Sequence, residues 1–151
     1  MDKMSKEEVA LRYFSAGYSC AQSVFASFAP ELGLDEKVAL RLSSGLGAGV
    51  GRMREVCGAF TGLSLVLGYF EGNEEGDADQ KEHIYALVQA EAARFRAEFG
   101  SIICRELLDP TILKDQSTRP QARSTQYYNQ RPCQACVAFC AKAASSFLTR
   151  E

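Results

Sequence analysis

One helix of this sequence must be buried on every side, and that requirement constrains the fold more than any other feature. The residues after Cys57 read GAFTGLSLVLG, and a helix formed by them has no clear polar face. A helix that is apolar all round normally lies at the centre of a packed structure. Gly58 and Gly62 are four residues apart, so another backbone can approach closely on that side. The run is too short to span a membrane, and we therefore predict a central helix enclosed by other helices. Its apolar residues are Ala59, Phe60, Leu63, Leu65, Val66 and Leu67.

Helix-start signals recur along the rest of the chain. Ser5 with Glu8, and Ser19 with Gln22, each have the spacing of a capping box, in which two side chains bond to backbone N–H groups at a helix start. The second of these helices must end near Pro30, because proline interrupts a helix. Further predicted boundaries are Asp35 and Ser101 as caps, Gly100 at the end of a long helix, and Pro132 in the first turn of the last one.

Apolar spacing predicts which faces of these helices turn inward. In the helix after Asp35, we expect Val38, Ala39 and Leu42 to face the core. The long helix carries Ile84, Leu87, Val88, Phe95 and Phe99 at helical spacing, and the last helix carries Val137, Ala141, Ala144 and Leu148.

Strand patterns are nearly absent, since no run of alternating β-branched residues is bounded by hairpin turns. The sequence therefore predicts an all-α fold, a single compact helical bundle of about six or seven helices. A glycine-rich loop with Gly45, Gly47, Gly49 and Gly51 comes before the buried central helix. A chain of 151 residues most simply forms one domain, so we expect residues 1–151 to be a single domain.

The net charge and the N-terminal sequence restrict which partners and which cellular compartment we expect. A formal net charge of -2 provides no general field for nucleic acid, so we expect no nucleic-acid partner. No apolar run is long enough to cross a bilayer, so we expect no membrane insertion. The opening MDKMSKEEVALRYF lacks the features of a signal peptide, which predicts a cytoplasmic protein. In a reducing compartment, six cysteines favour metal binding or redox chemistry over structural disulfides.

Four of the six cysteines lie at predicted helix starts: Cys20, Cys57, Cys104 and Cys133. The first turn of a helix has free N–H groups and a partial positive charge. Both favour the thiolate, the form of cysteine that attacks disulfides and binds metals. The alternative is that these cysteines are small apolar fillers, which belong in helix interiors. Their shared position favours function.

The last helix adds a C-x-x-C element in the segment CQACVAFC, which contains Cys133, Cys136 and Cys140. The element either forms a redox pair or supplies two metal ligands. It is not a haem attachment motif, because Val137 stands where that motif needs histidine. Core filling by Cys136 or Cys140 is the more economical interpretation of those two residues.

The remaining polar features have two interpretations each. The glycine loop beside Arg52 and Arg54 either binds an anion or sulfur through its N–H groups, or simply packs closely. On the first interpretation the candidate cofactor-binding residues are Gly47, Gly49, Gly51 and Gly58. The arginines around the late polar segment are Arg105, Arg119, Arg123 and Arg131. They either form a docking surface for an acidic partner or are simply solvated charges, and the second interpretation is the simpler one. We expect His83 to lie on the surface.

Several segments together resemble the C_GCAxxG_C_C family of putative redox-active proteins. They are YSCAQSVF, SSGLGAGVGRMREVCGAFTG, FGSIICRELL and a late cysteine before an alanine-rich helix, and they extend from about Tyr13 to Leu148. The central C-G-A-x-x-G runs from Cys57 to Gly62. The resemblance implies that the family's four cysteines are Cys20, Cys57, Cys104 and Cys133, with Cys136 as the alternative to Cys133. A similar domain in split-Soret cytochromes accompanies an iron–sulfur centre, which implies a cluster as one possible cofactor.

The leading hypothesis is a redox-active protein whose four cysteines converge on one site. There they bind an iron–sulfur cluster or another metal, or two of them cycle between dithiol and disulfide. The alternative is a non-catalytic helical binding module with a structural zinc or inert buried cysteines. Self-association stays open, and the redox hypotheses require a redox partner whose identity the sequence leaves unknown.

Overall fold

The computed structural model describes residues 4–149, and within that range it contains nine α-helices. The predicted all-α fold class is confirmed, since the only β pairing among these residues is an isolated antiparallel bridge between Val56 and Ile103. The helices are α1 (Lys6–Ser15), α2 (Cys20–Ala26), α3 (Ala29–Leu32), α4 (Glu36–Ser43), α5 (Gly58–Glu71), α6 (Ala78–Phe99), α7 (Cys104–Leu107), α8 (Thr125–Asn129) and α9 (Cys133–Ser145). Short 3₁₀ turns follow at Ser44–Leu46, Ile112–Lys114 and Ser146–Thr149.

The predicted central helix is α5, and it packs against α2, α6 and α9. Leu63, Val66 and Leu67 of this helix are fully buried, as are Ala59 and, nearly so, Phe60. The sequence prediction is wrong for Leu65, whose side chain is 40% exposed. Burial on most sides places the start of α5, and with it Cys57, beside the starts of its neighbours.

Local capping explains where several helices begin and end. Ser5 and Glu8 cap α1 reciprocally, Ser19 and Gln22 do the same for α2, and Asp35 accepts from the N–H of Lys37 at the start of α4. The long α6 ends at Gly100, which has a left-handed conformation. All these boundaries agree with the sequence prediction. No helix within the described residues has both the length and the apolarity needed to cross a membrane.

Three local predictions are wrong in whole or in part. On α4, Val38 and Leu42 are 42% and 63% exposed, because the helix meets α2 through its smaller Ala39 face. The helix after Ser19 does end before Pro30, at Ala26, but the proline is not the reason, because Pro30 lies in the first turn of the separate α3, where a missing N–H costs nothing. Ser101 does not cap α7 directly; its hydroxyl accepts from Ile103 N–H, one residue before the helix.

Gly58 and Gly62 allow α2 and α5 to approach closely, as predicted. A Cβ at Gly58 would lie 3.0 Å from the backbone nitrogen of Ala21, and one at Gly62 would lie 3.0 Å from Val24 Cβ and 3.1 Å from the Ala21 carbonyl oxygen. These neighbouring atoms are backbone and Cβ atoms of α2, so they cannot move aside unless the helix itself moves. The two helices therefore require side-chain-free positions here.

We expect Gly62→Ala to lower the free energy of unfolding by about 1–3 kcal/mol, because the added methyl overpacks the α2–α5 contact. Gly68→Ala in the same helix is the matched control, since nothing lies within 4 Å of its added Cβ. That control is expected to stabilise the protein by about 0.5–1 kcal/mol through helix propensity. Denaturant titrations measure both values. Equal stability of the two variants would show that the helices do not depend on this contact.

Candidate functional site

The starts of four helices meet at one cavity of about 480 Å³. Cys20, Cys104 and Cys133 are the first residues of α2, α7 and α9, and Cys57 is the N-cap residue of α5. All four cysteines line the cavity, and Cys136, one turn into α9, joins them. The structure therefore brings together the four candidate cysteines and also the alternative to Cys133.

A short backbone pairing brings Cys57 and Cys104 to the cavity. The Cys57 N–H donates to the Ile102 carbonyl at 2.7 Å, and the Cys104 N–H donates to the Glu55 carbonyl at 2.6 Å. The bridge between Val56 and Ile103 lies between these two bonds. Cys57 and Cys104, which are 47 positions apart in sequence, thus enter their helices side by side.

The glycine loop before Cys57 follows a left-handed path. Backbone φ is positive at Gly49 and Gly51 and also at four residues that rarely adopt such values: Ala48, Val50, Arg52 and Arg54, with φ from 53° to 63°. A Cβ at Gly49 would lie 2.6 Å from the Glu55 nitrogen, so no other residue fits there. Strain of this kind persists only where the surrounding structure imposes it, and it is concentrated at functional sites.

The four candidate cofactor-binding glycines all line the cavity. Three of them are also crowded by the protein itself: Gly47 by Ser19, Gly49 by Arg54 and Glu55, and Gly58 by Ala21. Close packing therefore explains these three positions. Gly51 is not crowded, since a Cβ there would only make ordinary contact with the Gly45 carbonyl oxygen at 3.9 Å, and the binding of a cofactor by this loop stays a prediction.

Cys20 and Cys133 form a pair of interacting thiols. A hydrogen bond between their side chains raises the pKa of Cys20 and lowers that of Cys133, so Cys133 loses its proton more readily than Cys20. Nearby Arg131, Arg123 and Arg54 lower the pKa of Cys133 further, against the opposing effect of burial. Both side chains are half-buried and face the cavity. A thiol with a lowered pKa therefore lies beside one with a raised pKa, which are the properties that an attacking thiol and its partner need.

Cys57 and Cys136 form a second pair of the same kind. A hydrogen bond between them lowers the pKa of Cys57 and raises that of Cys136, and backbone N–H groups of Phe60 and Ala59 lower the pKa of Cys57 as well. These two side chains are only 6% and 1% exposed. The second pair is therefore much less accessible than the first.

The remaining two cysteines are unlike these pairs. Burial raises the pKa of Cys104, and Arg54 opposes that effect by donating from Nη1 to Cys104 Sγ at 3.8 Å. Cys140 is fully buried away from the cavity lining, and burial raises the pKa of its thiol. The position of Cys140 agrees with the prediction that it fills the core. The same prediction describes Cys136 only in part, because Cys136 also faces Cys57.

Arginines surround the thiols. Arg52, Arg54, Arg123 and Arg131 all line the cavity. The prediction that Arg123 and Arg131 are solvated charges is wrong: Arg131 is 9% exposed, and Arg123 donates to the carbonyls of Phe14 and Tyr18 at 2.7 and 2.8 Å. Arg105 and Arg119 are exposed, as that account expects.

A metal site requires a specific arrangement of its ligands, and proximity of the thiols alone does not provide it. Within residues 4–149, no group of three or more His, Cys, Asp or Glu side chains is arranged to hold a metal ion. The thiols are instead associated two by two. His83 is exposed on α6, as predicted, and its Nε2 lies 3.3 Å from Glu71 Oε1.

Sequence reasoning missed the role of Cys136 as the partner of Cys57 and the burial of Arg131. The C-x-x-C spacing was a signal for Cys136, although it does not distinguish a filler from a thiol that faces a second helix. For Arg131 the signal was its position directly before Pro132 and Cys133, at the start of a helix already assigned to the site.

A family model described as "Putative redox-active protein (C_GCAxxG_C_C)" matches residues 18–147. No curated protein and no solved structure matches the chain. The matched range includes all six cysteines, the glycine loop and the four arginines of the cavity.

We expect Cys133 to be alkylated by iodoacetamide with a pH midpoint below the ordinary thiol value of about 8.5. Below that value an ordinary thiol is mostly protonated and unreactive, whereas Cys133 keeps its thiolate. Cys20→Ala removes the hydrogen-bond donor and is expected to move the midpoint upward. Cys140→Ala, which removes a thiol outside the cavity lining, is the control. Rates are followed by peptide mass spectrometry, and an unchanged midpoint in Cys20→Ala would contradict the thiol pairing.

Proposed function

Because the chain belongs to the C_GCAxxG_C_C family, we propose that it is a redox-active protein that exchanges two electrons through the Cys20–Cys133 dithiol and its disulfide. One observation supports this most: two half-buried thiols hydrogen-bond to each other at a cavity, with pKa values shifted in opposite directions. Thiol–disulfide exchange needs one thiol ionised to attack and a second within reach to complete the reaction.

The chemistry follows from this division of roles. The Cys133 thiolate attacks one sulfur of a substrate disulfide, the substrate S–S bond breaks, and the released thiolate takes a proton from the solvent. Cys20 then loses its proton and attacks Cys133 Sγ, which releases the second half of the substrate as a thiol. Two electrons have passed from the protein to the substrate, and the protein holds a Cys20–Cys133 disulfide. A dithiol partner restores the reduced form by the reverse steps.

Accessibility assigns this reaction to the first pair. Cys57 and Cys136 have the same complementary pKa shifts and also line the cavity, but at 6% and 1% exposure they are less accessible to a substrate disulfide than the half-buried pair. Exchange requires the attacking sulfur to approach the S–S bond in line, so the half-buried pair is the better candidate.

Disulfide mapping tests the proposal. Reduced protein is mixed with bis(2-hydroxyethyl) disulfide, quenched in acid, alkylated and digested. We expect the wild type to form a Cys20–Cys133 disulfide, and Cys20→Ser to accumulate a mixed disulfide on Cys133 because the second attack is lost. Cys133→Ser is expected to slow the reaction about a hundredfold, since the attacking thiolate is gone.

Cys140→Ser is the control for this experiment, because Cys140 lies outside the cavity lining and is expected to leave the products unchanged. A first mixed disulfide on another cysteine, or none on any, would contradict the assignment of Cys133 as the attacking group.

An iron–sulfur cluster held by Cys20, Cys57, Cys104 and Cys133 is the second candidate. It is favoured by one observation: all four cysteines stand at helix starts around one cavity that arginines also line. Four thiolates are the usual ligand set of a cluster, and surrounding positive charge would stabilise its negative charge. The donor atoms are of the right kind, but the four thiols would have to come closer together than their two-by-two arrangement.

Cys104 distinguishes the two candidates, because only the cluster requires it. Wild type and Cys104→Ser are purified without oxygen, and their visible spectra, iron, zinc and labile sulfide are measured. The dithiol function predicts no iron or sulfide in either protein and the same Cys20–Cys133 disulfide in both. Iron and sulfide in the wild type that are lost in Cys104→Ser would establish the cluster, whereas zinc alone would establish the structural-metal alternative.

A further inference from the structure

The cavity beside the thiols has an excess of positive charge. Four arginine side chains line it, and among the described residues its lining includes no aspartate or glutamate. Only Arg52 has a carboxylate partner, since its Nη2 lies 3.5 Å from Asp115 Oδ2. Within residues 4–149, the guanidinium groups of Arg54, Arg123 and Arg131 form no ion pair with a carboxylate. Three cations therefore face one cavity without a carboxylate counterion.

Arg131 is the most informative of the three, because it is 9% exposed. Its Nη2 donates to Gln121 Oε1 at 2.5 Å, and its guanidinium lies 4.3 Å from the centre of the Tyr127 ring. Burial raises the pKa of Tyr127 to about 12, so this phenol stays neutral. The Nε atom of Arg131 is buried and has no hydrogen-bond partner. A buried cation with an unused donor is costly unless an anion joins it.

The other two arginines are held by neutral groups. Arg123 donates to one carbonyl in the last turn of α1 and to one in the turn after it, and it lies 4.4 Å from the Phe14 ring centre and 4.7 Å from that of Tyr127. The guanidinium of Arg54 donates to the sulfur of Cys104, and its backbone has a strained left-handed conformation. These contacts orient the guanidinium groups but do not neutralise them.

The protein's own thiolates do not account for three cations. Of the cysteines that line the cavity, Cys133 and Cys57 have a lowered pKa, so the thiols supply at most two negative charges. At least one positive charge is then left in a confined space. A binding group supplied from outside is the natural counterion.

We propose that the cavity binds a small disulfide that carries carboxylate groups, with Arg131 and Arg54 as the residues that select it. This inference rests on the proposed dithiol function and adds its substrate class. A volume of about 480 Å³ suits a small molecule rather than a folded partner. The planar guanidinium fork matches a carboxylate with two parallel hydrogen bonds, and a carboxylate held in this way lies in the same cavity as Cys133.

The exchange with this substrate balances without a further reactant. Cys133 forms a mixed disulfide with one half of the substrate and releases the other half as a thiol. Cys20 then attacks Cys133 and releases the first half, so the dithiol is oxidised and the substrate is reduced to two carboxylate-bearing thiols. The arginines keep both carboxylates ionised and take no part in bond breaking.

Three disulfides of similar size test the proposal: 3,3′-dithiodipropionate, which is dianionic, bis(2-hydroxyethyl) disulfide, which is neutral, and cystamine, which is dicationic. Each rate of Cys20–Cys133 disulfide formation is divided by the rate of the same reagent with free 2-mercaptoethanol. The division removes intrinsic reactivity. We expect the corrected rate to be at least about tenfold higher for the dianion than for the neutral reagent, and lowest for cystamine.

Arg131→Gln and Arg54→Gln are expected to reduce the ratio of dianionic to neutral rates to near one. The ratio is used because a change in the thiolate fraction of Cys133 affects both reagents equally. Arg119→Gln is the matched control, since Arg119 is exposed and lies outside the cavity lining. If the buried Arg131 variant does not fold, Arg54→Gln decides the outcome.

Binding without reaction separates this proposal from the function on which it rests. The thioether 3,3′-thiodipropionate has no S–S bond, and calorimetry is expected to show binding to wild type that weakens about tenfold or more in Arg54→Gln. A corrected ratio near one in the wild type would overturn the anionic substrate, even if the Cys20–Cys133 disulfide forms. Failure of that disulfide with every reagent would instead overturn the dithiol function.

Discussion

The contact between Gly58 and the backbone nitrogen of Ala21 is the constraint on which the site depends. Gly58 follows Cys57 and Ala21 follows Cys20, so the contact brings the starts of α5 and α2 together. α9 packs against both helices, which brings Cys133 and Cys136 to the same end of the bundle. The cysteines therefore meet because three helices that share a core also begin at one end of it.

An ionised thiol in this partly buried cavity needs nearby positive charge or hydrogen-bond donors to stabilise it, and the structure provides both. Backbone N–H groups at the start of α5 act on Cys57, whereas arginine side chains act on Cys133. In each pair the pKa of the second thiol is raised, which favours one negative charge per pair over two. Two adjacent thiolates would repel each other strongly at low dielectric, and sharing one proton avoids that cost.

Local rules predicted much of the fold, and contacts between distant segments determined the remainder. The capping boxes at Ser5 and Ser19 are recognisable because their partners lie three residues away. The inward face of α4 is not, because α2 accepts the small Ala39 more closely than the larger Val38. Likewise, the first-turn position of Cys133 is a local property, but its pairing with Cys20 joins segments more than 100 residues apart. The burial of Arg131 was not predictable because Arg131 lies in a polar stretch without periodicity.

The left-handed loop shows how local strain and the candidate site are connected. Val50 is β-branched, and its φ of 62° is unfavourable for such a residue, so local preference does not explain the path. Hydrogen bonds within the loop hold it, from Gly51 N–H to the Gly45 carbonyl at 2.7 Å and from Glu55 N–H to the Gly49 carbonyl at 2.8 Å. This path delivers Glu55 to its pairing with Cys104 and places Arg54 on the Cys104 sulfur. A relaxed loop of the same length would lose both contacts, and the strain is therefore the cost of placing a cation against the thiols.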